Sequence, residues 1–113
     1  MKEEKILNGM KILSRLANLK GIDIFMGTVK GRQPRYLQFR LLLFMMSQEI
    51  GKELSRADII MNIYKPNVQL KERSLDPHIS MLNKILRETK FGYLIRNDGN
   101  PKNPKGFYLA KVN

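Results

Sequence analysis

Apolar residues fall at helical spacing in four stretches of the chain, and its final part breaks into two short runs that read as strands. In residues 3–19, Ile6, Met10, Leu13 and Ala17 form one stripe with Leu16 beside it, which predicts an amphipathic helix. Ile12 and Leu19 lie well off that stripe, so the apolar arc is wider than a helix resting on one surface needs. Such a helix either wraps its own domain or packs against a second copy. Residues 21–34 hold Gly21, Gly27, Gly31 and Pro34, breakers that mark a boundary within one domain rather than a linker. Between them Ile22–Val29 reads as a short strand. The organisation expected is a single domain, with an N-terminal helix and connector over 1–34 and a core over 35–113.

Tyr36–Ile50 is apolar nearly all round a helical wheel, with Gln38, Arg40 and the Ser47-Gln48-Glu49 end as its polar positions. It is expected to be the buried central helix, stopped by Gly51. Ser55 then offers a capping oxygen with Asp58 three residues on, and Ile59, Ile60 and Ile63 supply the apolar side of a helix over about 56–64. Pro66 and Asn67 end it, and Lys65–Arg73 reads as a loop. Ser74 can cap the next helix, placing Pro77 in a first turn where its missing N–H has no acceptor to lose. That helix continues to about Thr89. Leu75, Ile79, Leu82 and Leu86 share one face; Ser80, Lys84 and Arg87 point away, with Met81 beside them and His78 and Asn83 on the flanks. The strands Tyr93–Arg96 and Gly106–Val112 close the chain as a hairpin whose tip is long, basic and stiffened by two prolines.

Composition narrows what such a domain is for. The chain has 113 residues, and 21 Lys and Arg against 10 Asp and Glu give a formal charge of +11. With 42% apolar residues a modest core is affordable, so the charge belongs to a folded surface and points to polyanionic partners. The lack of Cys excludes a disulfide scaffold, a thiolate zinc site, an iron–sulfur cluster and a cysteine nucleophile. One His and scattered acids leave little for metal or acid–base chemistry, so neither catalysis nor a cofactor is expected. Leu41–Met46, the longest apolar run, is too short to span a bilayer, and no uninterrupted apolar run of signal-peptide length follows Met1–Lys5, so a secretory leader is not expected. A cytoplasmic protein with no membrane partner is the expectation.

Helix, helix, helix, hairpin is the order a winged helix needs, and four stretches carry a resemblance to a known family of that kind. Gln38–Met45, Leu54–Ile60, Arg73–Leu86 and Gly106–Leu109 resemble, in order, the helix before the turn, the positioning helix, the recognition helix and the returning wing strand of OmpR/PhoB-type effector domains. The third stretch is the most specific, because its Arg, Ser, Asp, His-Ile and Leu positions recur in register. The fold class implied is α+β, mainly helical: a winged helix-turn-helix with an extra N-terminal helix and a C-terminal β-hairpin wing. Only 35 residues precede Tyr36, so a receiver domain is not expected within this chain. The N-terminal helix is expected in place of the family's N-terminal sheet, as packing partner or dimer element.

The resemblance implies a sequence-specific regulator of transcription that binds double-stranded DNA, with Arg73, Ser74, His78, Ser80, Met81 and Asn83 at the DNA-facing side and the wing tip around Lys102, Asn103 and Lys105 on a flanking groove. The helical wheel alone selects Ser80, Met81, Lys84 and Arg87. Asn83 can pair bidentately with adenine, Met81 can touch a thymine methyl, and Ser74 with the helix N-terminus can hold a phosphate. Each has a plain competitor. His78 can serve a local hydrogen bond, Lys84 and Arg87 can be solvated helix residues, and Lys102 and Lys105 can simply keep a loop soluble. Asp76 reads as a helix-dipole partner or a salt bridge, and Tyr93, Phe107 and Tyr108 as strand packing. A second copy through the N-terminal helix and RNA polymerase are the further candidate partners. The rival reading is a winged helix used as a protein-interaction or assembly module in replication or polymerase complexes.

Overall fold

The apolar surface of the central helix can be hidden only if other elements surround it, and that requirement organises the chain. The computed structural model describes residues 12–63, 75–97 and 106–112. In order these form a helix over 12–19 (α1), Ile22–Asp23 (β1), Thr28–Val29 (β2), Tyr36–Ser47 (α2), Leu54–Ser55 (β3), Arg56–Ile63 (α3), Leu75–Glu88 (α4), Tyr93–Asn97 (β4) and Gly106–Lys111 (β5). Among the described residues the result is a small α+β fold with four helices and two antiparallel sheets, ordered β1-β2 and β3-β5-β4. None of these helices is long and apolar enough to cross a membrane.

As expected, α2 is the core: Phe39, Leu41, Leu42, Met45 and Met46 are buried, and Leu43 and Phe44 are partly so. Gln38 is buried with them because its Oε1 accepts the Arg35 N–H at 3.2 Å, satisfying a donor ahead of the first turn. The helix stops at Ser47 rather than Ile50. There Ser47 Oγ turns back onto the Phe44 carbonyl at 2.6 Å, a local bond that competes with the helical ladder, and Gln48 is already extended. Gly51, at φ +87°, therefore shapes the turn beyond the helix, where its N–H bonds the Leu109 carbonyl at 2.9 Å. That turn lays β3 along β5, with Leu54 opposite Phe107. A strand of two residues carries no alternation to read, which is why the pattern did not announce it.

α3 starts as predicted, with Ser55 Oγ accepting the Asp58 N–H at 3.1 Å, and runs to Ile63; Tyr64 and the expected loop over 65–73 lie outside the described residues. In α4, Leu75, Ile79, Leu82 and Leu86 are buried as one stripe. Its end is closed by Thr89, whose Oγ1 donates to the Ile85 carbonyl at 2.8 Å, and Lys90 (φ +52°) and Gly92 (φ +95°) turn the chain into β4. β4 and β5 pair from Tyr93 opposite Lys111 to Asn97 opposite Phe107, close to the expected hairpin.

Two N-terminal expectations need correction. The single strand over Ile22–Val29 is a tight hairpin of two short strands, because Asp23 Oδ1 accepts the N–H groups of Phe25 (3.0 Å) and Met26 (3.1 Å) and Gly27 takes φ +68°. In α1 the inward residue is Leu16, flanked by the partly buried Ile12 and Leu19, while Leu13 and Ala17 of the expected stripe face out. The residues that looked off-axis are the ones on the core, which Val29 of the hairpin also joins. Ile6 and Met10 lie outside the described residues.

Arg56 binds three elements together. It is 8% exposed, its guanidinium lies 5.3 Å from the centre of the Phe107 ring, and its Nη2 donates to both oxygens of Asp76 at 2.8 and 3.0 Å. Of the two readings expected for Asp76, helix-dipole partner or salt bridge, the second is seen, with Arg56 as the base. Because the arginine is the buried member, losing the acid should cost more than losing the base. Asp76→Ala is expected to lower stability by about 2 kcal/mol and Arg56→Met by about 1 kcal/mol, measured as urea midpoints; the reverse order would show that packing rather than charge holds the joint.

Candidate nucleic-acid interface

Helical geometry converts burial on one side of α4 into exposure on the other. With Leu75, Ile79, Leu82 and Leu86 inside, Pro77, Ser80, Met81, Lys84, Arg87 and Glu88 all face solvent. Ser80, Met81, Lys84 and Arg87, the residues chosen by the wheel, share a surface that runs about 10 Å along the helix. Met81 is 49% exposed, a large apolar side chain presented between a hydroxyl and two cations. His78 lies half-buried on the flank and makes no side-chain hydrogen bond among the described residues.

Asn83 is not on this surface. It is 9% exposed and turned toward the sheet, where its Nδ2 donates to the Ile95 carbonyl and its Oδ1 accepts the Ile95 N–H, both at 2.9 Å. Ile95 sits in β4, an edge of the three-stranded sheet, so the side-chain amide takes the place of a neighbouring strand and satisfies a buried peptide group. The expected pairing of Asn83 with adenine is therefore withdrawn: the donor and acceptor it needs are already engaged inside the fold. A flanking position on the wheel could not distinguish these roles, because the edge strand it meets lies twelve residues on.

Arg73, Ser74, Lys102, Asn103 and Lys105 lie outside the described residues. Of the aromatic residues, Phe107 is buried beneath Arg56, and Tyr93 is partly buried with its ring 6.2 Å from that of Phe91, so both pack as strand residues.

The structure adds basic residues that the linear pattern did not connect to α4. Lys30 Nζ donates to the Lys90 carbonyl at 2.8 Å, and Arg32 Nη1 lies 3.0 Å from Glu88. The connector thus brings two cations to the end of the helix, where positive charge complements the dipole, and pairs Glu88 in its last turn. Only the fold shows this, through a close approach in which a Cβ at Gly21 would come 2.7 Å from Lys30 Cγ. Among the described residues no three His, Cys, Asp or Glu gather where they could hold a metal ion.

Compared with known proteins, the chain matches no family model and no curated protein sequence.

The relocation of Asn83 has a measurable consequence. Asn83→Ala leaves the Ile95 peptide without partners and should cost about 2–3 kcal/mol in urea unfolding; a variant of unchanged stability would refute the role assigned to that amide.

Proposed function

We propose that this chain is a winged-helix, sequence-specific double-stranded DNA-binding regulator of transcription, akin to OmpR/PhoB-type effector domains. In this reading α4 enters the major groove and the loop between β4 and β5 approaches the flanking backbone. The observation that carries it is the outward face of α4: Ser80, Met81, Lys84 and Arg87 stand on one exposed surface of a helix whose opposite side is buried. The order α2, β3, α3, α4, β4, β5, with β5 between the other two strands, supports it, since a helical core with a terminal hairpin can present one helix to a groove.

Chemistry divides the labour along that surface. Ser80 can exchange hydrogen bonds with base edges and Met81 can pack on a thymine methyl, so these two carry sequence preference. Lys84 and Arg87 neutralise phosphates and set position, and Lys30 and Lys90 extend the positive charge at the same helix end. The formal charge of +11 supplies the long-range attraction. The protein acts by binding, in the cytoplasm, without catalysis or a cofactor, and RNA polymerase is the machinery such a regulator would influence.

Fluorescence anisotropy on labelled duplexes over a range of salt concentrations tests this. The wild-type chain should bind one sequence preferentially, with log affinity falling linearly against log salt. Replacing both Lys84 and Arg87 by Ala should weaken all duplexes alike and flatten that slope by about 2. Met81→Ala should keep the slope and relax preference at one base position. An unchanged affinity and slope in the double variant would remove α4 from the interface.

A further inference from the structure

A second surface, built from α1, the β1–β2 turn and the start of α2, is apolar and faces solvent. Ile24, Phe25 and Met26 occupy the turn, and Phe25 is 100% exposed. The turn is well made: besides the two bonds to Asp23 Oδ1, the Gly27 N–H bonds the Asp23 carbonyl at 2.8 Å. A tight turn thus holds three consecutive apolar side chains out in water, an arrangement that marks interaction surfaces. Ile24 and Phe25 form the wall between two shallow grooves. One, of about 350 Å³, has Leu13 and Ala17 of α1 on its far side. The other, of about 320 Å³, is completed by Pro34, Tyr36 and Phe39. The outward residues of α1 therefore belong to this surface and not to the core.

Charge identifies the occupant. Residues 12–47 contain six Lys and Arg, of which Lys30 and Arg32 turn to the end of α4 and Arg15 to the Met46 carbonyl, and a single acid, Asp23, whose Oδ1 serves the turn. Arg35 precedes Tyr36 at the groove, and the Arg40 guanidinium lies 5.6 Å from the centre of the Tyr36 ring with Nη1 3.1 Å from its hydroxyl. Among the described residues no carboxylate pairs with either arginine. A second copy would bring the same arginines against themselves, and a bilayer would meet the Phe25 apex but leave the concave walls on both sides unfilled. We infer that this surface binds an acidic segment of another protein, one that places bulky apolar side chains in the two grooves across the Phe25 wall and carboxylates over Arg35 and Arg40. This inference stands apart from the DNA reading, because none of its residues is on α4.

A displayed library of random 12-residue peptides, selected against the full chain, tests it. Enriched peptides should combine Phe, Trp or Leu with Asp or Glu. Their affinity should fall at least tenfold on Phe25→Ser and at least threefold on a variant carrying Arg35→Glu and Arg40→Glu. Phe25→Ser should unfold at the wild-type temperature, since its ring is wholly exposed, so that loss of binding reports the surface and not the fold. Several results would overturn the proposal: no enrichment, enrichment of neutral or basic peptides, or equal binding to Phe25→Ser. A dimer in sedimentation that Phe25→Ser abolishes would assign the surface to a second copy instead. Binding to vesicles of phosphatidylcholine and phosphatidylserine that the same change abolishes would assign it to a membrane.

Discussion

The rotation of α4 about its own axis is the constraint on which the functional reading depends. Two interactions of different character set it. The stripe Leu75, Ile79, Leu82 and Leu86 is buried in the common core, which is non-directional and tolerates some rolling. Asn83 supplies the direction, because an amide that both donates to and accepts from one peptide group of β4 has a single geometry. With the helix locked on that side, Ser80, Met81, Lys84 and Arg87 have nowhere to point but outward. The same bond protects an edge strand that would otherwise invite pairing with another chain.

Around this helix the molecule separates its surfaces by chemistry. The end of α4 gathers cations from distant parts of the chain, with Lys30 on the Lys90 carbonyl and Arg32 on Glu88. The connector that brings them also projects Ile24, Phe25 and Met26 away from the core. Besides these two contacts, the N-terminal unit is held by Leu16 and Val29 within the core and by Arg15 on the Met46 carbonyl, and its other side faces outward. A basic helix face suited to a polyanion and an apolar ridge suited to a protein segment would let the chain bring nucleic acid and a partner together.

Much of this was legible in the residues, for reasons that can be named. Long periodic stretches reported the helices well: the stripe of α4, the capping by Ser55 and the burial of α2 follow from spacing and local hydrogen bonding, which need no knowledge of the rest of the chain. The hairpin of β4 and β5 was visible for the same reason. What escaped depended on partners far away in sequence. Leu13 and Leu16 are both plausible core residues of α1, and only the folded arrangement, with Leu16 buried and Leu13 exposed, decides between them. Asn83 looked like a base reader because its partner, Ile95, belongs to another element. β3 exists only because β5 lies alongside it. The end of α2 is the exception: a local bond from Ser47 to the Phe44 carbonyl accompanies it, ahead of the glycine that the pattern pointed to.

The methionines offer the most direct measurement of the central claim. Met81 lies on the outward face of α4, Met26 and Met61 are exposed elsewhere, and Met45 and Met46 are buried. With methyl-labelled methionine, titration of a duplex should shift and broaden the Met81 resonance first and most, while those of Met26 and Met61 stay in place. Saturation of the protein with DNA while the Met81 methyl remains unmoved would contradict the account.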